Sequence, residues 1–194
     1  MAGLRERWRR EAMQTIQERA LDLFDERGFA NVTIEQVAAA AEVSPSSVYR
    51  YFGTKEGLLV ADEFDAMSPE QLRERFDPLD PVSSLVAAVR RYEAAAAEQG
   101  VETPWRRVRY FVSEPAVRAA VCANLERIAR EVAPMLQTPD GLTPGQARVA
   151  ASALAFGYLA ALELWFEDGG EHPIAGYVEE GLSPLRAIWA GADD

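Results

Sequence analysis

Apolar residues recur every three or four positions along most of this chain, and nowhere do they alternate over the length of a strand, so the pattern predicts an all-α protein. The first stripe is Met13, Ile16, Ala20, Leu23 and Phe24, the inner face of a helix from about Arg5 to Arg27 that Gly28 closes. Two short helices follow. Thr33 stands where a side-chain oxygen caps the first of them, with Gln36 as the return half of a capping box. Val37, Ala38 and Ala41 give that helix its apolar face, and Glu42-Val43 makes a turn. Ser44 caps the next helix, and Pro45 takes its first position, where a missing N–H costs nothing. Val48 and Phe52, four apart, point inward, leaving Ser46, Ser47, Tyr49, Arg50 and Tyr51 on the other faces. Two short helices about a tight turn, the second faced with hydroxyls, aromatics and an arginine, make a helix-turn-helix suited to a major groove.

Beyond it, Thr54 caps a fourth helix expected from Lys55 to about Ala66. Asp80-Pro81 opens a helix to about Gln99, and Thr103-Pro104 opens another through Ser113. A third runs from Pro115 to about Leu136 despite Pro134. After the loop 137–145, Thr143-Pro144 caps a strongly apolar helix to about Phe166. The last spans roughly Ile174 to Ala190, with a break at Ser183-Pro184.

The run Thr33…Val43-Ser44…Val48-Tyr49-Arg50-Tyr51-Phe52…Lys55-Glu56 resembles the signature of TetR/AcrR-type transcriptional regulators. The resemblance covers roughly residues 10–60. It implies a three-helix DNA-binding domain over residues 1–54 and a helical ligand-binding and dimerisation domain over 55–194. By that resemblance Tyr49, Tyr51 and Lys55 meet phosphates, while Pro45, Ser46, Ser47 and Arg50 lie nearest the bases. Arg reads guanine and small side chains read thymine methyls. Thr33 and Ser44, at helix starts, place backbone N–H groups where phosphates bind. The family often has Gly where this chain has Glu42; a left-handed conformation there costs a non-Gly residue on the order of 1 kcal/mol.

A net charge of −11 argues against nucleic acid at first sight. The distribution changes that. Residues 1–60 hold 8 Lys+Arg and 9 Asp+Glu, and residues 61–194 hold 12 and 22. Arg5, Arg7, Arg9 and Arg10 cluster at the start, and Arg50 and Lys55, the only lysine, flank the second helix of the motif. Local positive charge drives phosphate contact while the acidic remainder disfavours nonspecific adhesion. The arginine cluster has two readings, an arm reaching DNA backbone or minor groove and a solvated terminus; Trp8 in its midst is unexplained. One cysteine, Cys122, excludes an internal disulfide framework, and with a single histidine, His172, it excludes a Cys/His zinc site, so no metal is expected. No apolar run is expected to reach membrane-spanning length, and the basic start lacks the apolar core of a signal peptide, so a cytoplasmic protein is expected.

The second part is rich in aromatics. Phe64, Tyr92, Trp105, Phe111, Phe156 and Trp165 are the candidates for an apolar cavity, with Arg109 and Glu163 as polar groups orienting a ligand. The segment 60–65 and the arginine-rich run Trp105–Arg109 resemble regulators sensing acyl-CoA-like ligands, so an apolar or acyl-CoA-like effector is expected. Ala147, Ala150, Ala151, Leu154, Ala155, Leu159 and Leu162 make one helix apolar on all sides, and Leu182, Leu185, Ile188 and Trp189 supply a second face. The resemblance implies a homodimer through these last two helices; burial within one subunit would consume part of that surface. No catalytic motif, Gly-rich phosphate loop or cofactor fingerprint is present, so neither an enzyme nor a cofactor is expected. The expected function is a repressor released from a palindromic double-stranded operator by a small ligand. The alternative is a small-molecule binding protein without specific DNA binding.

Overall fold

A 26-residue helix, α1 (Ala2–Arg27), carries the N-terminal part of the molecule. The computed structural model describes residues 2–61, 73–98, 103–137 and 142–186, and among them the regular structure is entirely helical. The chain divides into two compact units, Met1–Ala66 with Glu114–Ala120, and Met67–Ser113 with Val121–Asp194.

In the first unit, α1 buries Met13, Ile16, Ala20 and Phe24, as expected, but Leu21 and not Leu23 completes the stripe. The positions 13, 16, 20, 21 and 24 follow one helical face, and residue 23 falls at its margin, half-buried. Gly28 ends the helix at φ 81°, its N–H bonded to Phe24 O at 2.9 Å. A 3₁₀ turn (Phe29–Asn31) sets the Phe29 ring edge-on to Phe24, with centroids 5.0 Å apart. Then come α2 (Ile34–Ala40), α3 (Pro45–Phe52) and α4 (Gly57–Val60). Ile16, Leu21, Phe24, Val32, Val37, Val48, Leu58 and Leu59 are fully buried and form the core of this unit.

The fourth helix is shorter than expected. Its start is as read, with the Gly57 N–H donating to Thr54 Oγ1 at 3.1 Å, but Ala61 leaves helical backbone at φ −62°, ψ 134°. The Gln17 amide of α1 takes up the freed acceptors, donating to Leu58 O at 3.0 Å and Ala61 O at 2.8 Å. Residues 62–66 lie outside the described residues.

The second unit holds α5 (Pro81–Glu98), α6 (Thr103–Ser113), most of α7 (Pro115–Val132), α8 (Pro144–Glu167) and α9 (Ile174–Leu182). α7 stops at Val132 and tightens into a 3₁₀ turn, Ala133–Leu136, because Pro134 has no N–H to continue the α-helical ladder. Thr143 and Gln146 close a reciprocal capping box at the start of α8. α9 has no side-chain cap of its own. Glu93 of α5 supplies one, accepting from the N–H groups of Ile174 and Ala175. After Leu182 the chain passes into a 3₁₀ turn at Ser183–Arg186, the expected break. Gly157 lets α8 approach α9 closely, since a Cβ there would lie 2.5 Å from Leu182 Cδ2.

α8 corrects two expectations. Its 24 residues reach a mean hydropathy of 1.6 in the most apolar window, so among the described residues one helix is long and apolar enough to cross a membrane by length and composition alone. Its uncharged stretch is only 149–162, however, the length typical of a core helix. Ala147, Ala150, Ala151, Leu154, Ala155, Leu159 and Leu162, taken as interface residues, are all buried within this one chain. The apolar side chains that α8 leaves outside are Val149, Phe156 and Leu164, at 70%, 38% and 53% exposure. On the second face Leu182 is buried and Leu185 half-buried; Ile188 and Trp189 lie outside the described residues.

Asp80 ties the two ends of this unit together. Its carboxylate accepts from the Ser83 N–H at 3.0 Å, from the Ser83 hydroxyl at 2.8 Å and from the Arg186 guanidinium, which also donates to Glu179 at 2.6 Å. Burial pushes the Asp80 carboxyl up, but the Ser83 bonds and Arg186 together hold it below its ordinary value. A depressed folded-state value means that stability is present above the unfolded carboxylate range, near pH 4, and is lost as pH falls through the lower folded value. Asp80→Asn is therefore expected to lower the urea midpoint at pH 7, with the gap from the wild type closing once the pH is taken below the ordinary carboxylate range. An equal gap at both pH values would contradict this.

Candidate nucleic-acid interface

The helix-turn-helix is assembled from local hydrogen bonds. Thr33 Oγ1 accepts from the Gln36 N–H at 3.3 Å while the Gln36 side chain accepts from the Thr33 N–H at 2.9 Å. At the turn, the Val43 N–H reaches Ala38 O at 2.9 Å and the Glu42 N–H reaches Ala39 O at 3.2 Å, the paired bonds of a Schellman motif. Such a motif needs a left-handed residue, and Glu42 is it, at φ 56°, the one non-glycine with positive φ among the described residues. The strain anticipated for that position, on the order of 1 kcal/mol, is present.

Ser44 Oγ caps α3 by accepting from the Ser47 N–H at 3.2 Å and lies 2.9 Å from the hydroxyls of both Ser46 and Ser47. Val48 and Phe52 are buried, which turns Ser46 and Arg50 outward and leaves Tyr49 49% exposed. Pro45, Thr33 and Ser44 are exposed as well, and Ser47 is half-buried. Tyr51 is half-buried. The Arg50 guanidinium lies 4.8 Å over its ring and donates to its hydroxyl at 3.2 Å, while Arg9 of α1 lies 5.9 Å from the same ring.

Lys55 differs from the others. Its ammonium donates to Phe29 O at 2.7 Å and Val32 O at 3.1 Å and sits 4.3 Å over the Phe29 ring. Two of its three donors therefore tie the chain after α3 to the turn before α2. A substitution at Lys55 disturbs the packing of this unit, not only its outer surface.

Residues 16–61 match the profile of the bacterial regulatory proteins of the tetR family. The N-terminal segment is therefore TetR-like. The TetR-type segment is 41% identical over 54 residues to the HTH-type transcriptional regulator TcmR of Streptomyces glaucescens, covering 28% of this chain and 24% of that one. It is 43% identical over 53 residues to the HTH-type transcriptional repressor Rv3405c of Mycobacterium tuberculosis, covering 27% and 28%. The chain thus spans about a quarter of the length of these relatives. The whole fold is similar to NalD of Pseudomonas aeruginosa, the secondary repressor of the MexAB-OprM multidrug efflux pump, at 23% identity and a TM-score of 0.55 over 92% of this chain and 96% of that one. It is also similar to FadR of Thermus thermophilus in complex with lauroyl-CoA, at 23% identity and 0.52 over 91% and 94%.

Outside the TetR-type domain, two of the side chains expected to line a ligand cavity, Trp105 and Trp165, pack against each other. Trp105 stacks on Phe166, with centroids 4.4 Å apart, and meets Trp165 edge-on at 5.5 Å. Trp165 is buried, with its indole N–H on His172 O at 2.8 Å. Gly170 closes this cluster at φ 70°, where a Cβ would sit 2.6 Å from Trp105. These rings are packed against one another. Phe111 is buried, Tyr92 accepts from Arg107 at 3.4 Å, Arg109 donates to Tyr110 at 3.1 Å, and Glu163 is half-buried. Phe156 points outward, and Phe64 lies outside the described residues. A groove of about 670 Å³ does exist, but Arg90, Glu93, Asp168, His172, Tyr177 and Glu180 line it, none of them an expected residue. Arg107, absent from the expected set, is a buried charge, and only its position in the fold reveals that. Among the described residues no cluster of three or more metal-ligating side chains occurs.

Proposed function

We propose that this chain is a transcriptional regulator, a repressor that binds a palindromic operator as a homodimer and is released by a small molecule. The observation that carries the reading is the outer face of α3. Ser46, Tyr49 and Arg50 stand exposed on a helix that Ser44 caps and Val48 and Phe52 anchor, the disposition of a helix that reads base edges. The TetR-type segment supports it. The test is selection from a randomised duplex library followed by a mobility-shift titration. A palindromic consensus bound far more tightly than unrelated duplex is the expected result, and equal affinity for all duplexes would leave the small-molecule binding alternative.

Dimerisation is supported by the apolar stripe that α8 leaves uncovered, in which Val149, Phe156 and Leu164 follow one another at seven- and eight-residue spacing on a single face. Leu164→Glu is expected to give a folded monomer with weakened operator binding, because the residue is already exposed in the single chain and the added charge opposes only a partner. A wild-type chain that sediments as a monomer at micromolar concentration would contradict this.

The effector is proposed to act on the second unit. Its ability to release DNA is limited by its differential affinity for the two states. An apolar or acyl-CoA-like effector draws support from the lauroyl-CoA held by the FadR neighbour.

A further inference from the structure

We propose that the first three turns of α1 form a helical clamp on the phosphate backbone flanking the operator half-site, with Arg7, Trp8 and Arg9 as its described contacts. The inference rests on the DNA-binding reading above and extends its surface beyond the helix-turn-helix.

Four observations lead there. First, α1 is helical from Ala2, yet the first buried side chain described on it is Met13. At 1.5 Å per residue, roughly 16 Å of helix extends beyond the core of its unit. Second, this extension carries Arg5, Arg7, Arg9 and Arg10 against Glu6 and Glu11, a positive segment in a chain of net charge −11. Third, it adjoins the recognition surface. The Arg9 guanidinium lies 5.9 Å from the Tyr51 ring, on whose hydroxyl and ring Arg50 also rests, so exposed cations run from α3 onto α1. Fourth, Trp8 between the arginines is 57% exposed and fills no core.

The helical state decides what this surface fits. A helix with its side chains is about 10–12 Å across, and a B-form minor groove is about 6 Å wide. An extended arm enters such a groove; this helix does not. Its partner is therefore the sugar-phosphate backbone, which arginines neutralise without reading sequence. Arg7 pairs with Glu11 at 3.5 Å, both well exposed, a weak pairing that a phosphate displaces. Trp8 then covers the deoxyribose face next to those phosphates.

The experiment compares the wild type, Arg7→Ala/Arg9→Ala, Arg9→Lys and Trp8→Ala on an operator selected with the wild-type protein and on an unrelated duplex, across a salt series. The double variant is expected to lower the slope of log affinity against log salt by about 2 per half-site, about 4 for a bound dimer, on both duplexes. Arg9→Lys keeps the slope, and Trp8→Ala weakens binding without changing it. Base preference stays as in the wild type, and melting temperatures hold because all three positions are exposed. Unchanged affinity and slope in the double variant would overturn the clamp, as would altered preference at flanking base pairs, the mark of an arm in the minor groove. Failure of the wild type to select any operator would sink the regulator reading instead.

Discussion

Arg50→Ala is expected to cost about 1–3 kcal/mol of operator affinity and to relax preference at one base pair of each half-site. Arg50 is outermost on α3, opposite the buried pair Val48 and Phe52, and its guanidinium rests on Tyr51 through a cation–π contact at 4.8 Å. That resting place is weak and exposed, so leaving it for a guanine edge costs little. Tyr49→Ala should behave differently. A neutral hydroxyl on a phosphate releases no counterion, so binding weakens on all sequences with the salt slope unchanged. Neither side chain contributes to the core, and both variants should melt with the wild type. Competitive shift titrations on single-base operator variants check the pair. Wild-type affinity and preference in both would remove α3 as the reading surface.

Gly57→Ala should damage the same surface without touching it. Gly57 opens α4, and a Cβ there would lie 2.0 Å from Phe52 O and 3.0 Å from Phe52 C. Both atoms are backbone at the end of α3, so no side chain can swing aside; α3 or α4 must move. Phe52 and Leu58, the nearest anchors, are buried. A cost of about 3 kcal/mol is expected, and in a unit of this size it lowers the melting midpoint by more than about 10 °C. Gly53→Ala is the internal comparison. Gly53 has open space where its Cβ would go, but φ 71° and ψ −52° place it in a γ-turn closed by the Thr54 N–H on Phe52 O at 2.7 Å, so Gly53→Ala adds backbone strain of about 1–3 kcal/mol without a clash. A Gly57→Ala variant that melts with the wild type would show that α3 and α4 accommodate the clash. The Lys55 contacts to Phe29 O and Val32 O brace this same corner.

The helix-turn-helix was legible residue by residue because everything that forms it is local. Thr33 and Gln36 are three apart, Ser44 and Ser47 three apart, and Val48 and Phe52 four apart, while the left-handed Glu42 was flagged only by the resemblance to a family that often has Gly there. Such bonds close within one turn of backbone, so residue type and spacing specify them. Helix starts at Pro81, Thr103 and Pro144 were legible for the same reason.

What the tertiary structure alone decided is which partner each helix face meets. The apolar helix α8 announced burial but not which side, and packing against α9 covered the alanine and leucine positions while leaving Val149, Phe156 and Leu164 outside. Two of the aromatics expected around a cavity, Trp105 and Trp165, pack with Phe166 instead, and Gly170 lets Trp105 close onto Trp165. Lys55 found carbonyls 23 and 26 residues away, Glu93 capped a helix 81 residues away, and residues 114–120 joined the first unit. Periodicity marks a face as apolar and a charge as costly to bury. It carries no information on what lies across from that face, since the partner is set by how side-chain volumes interlock between helices far apart in the chain.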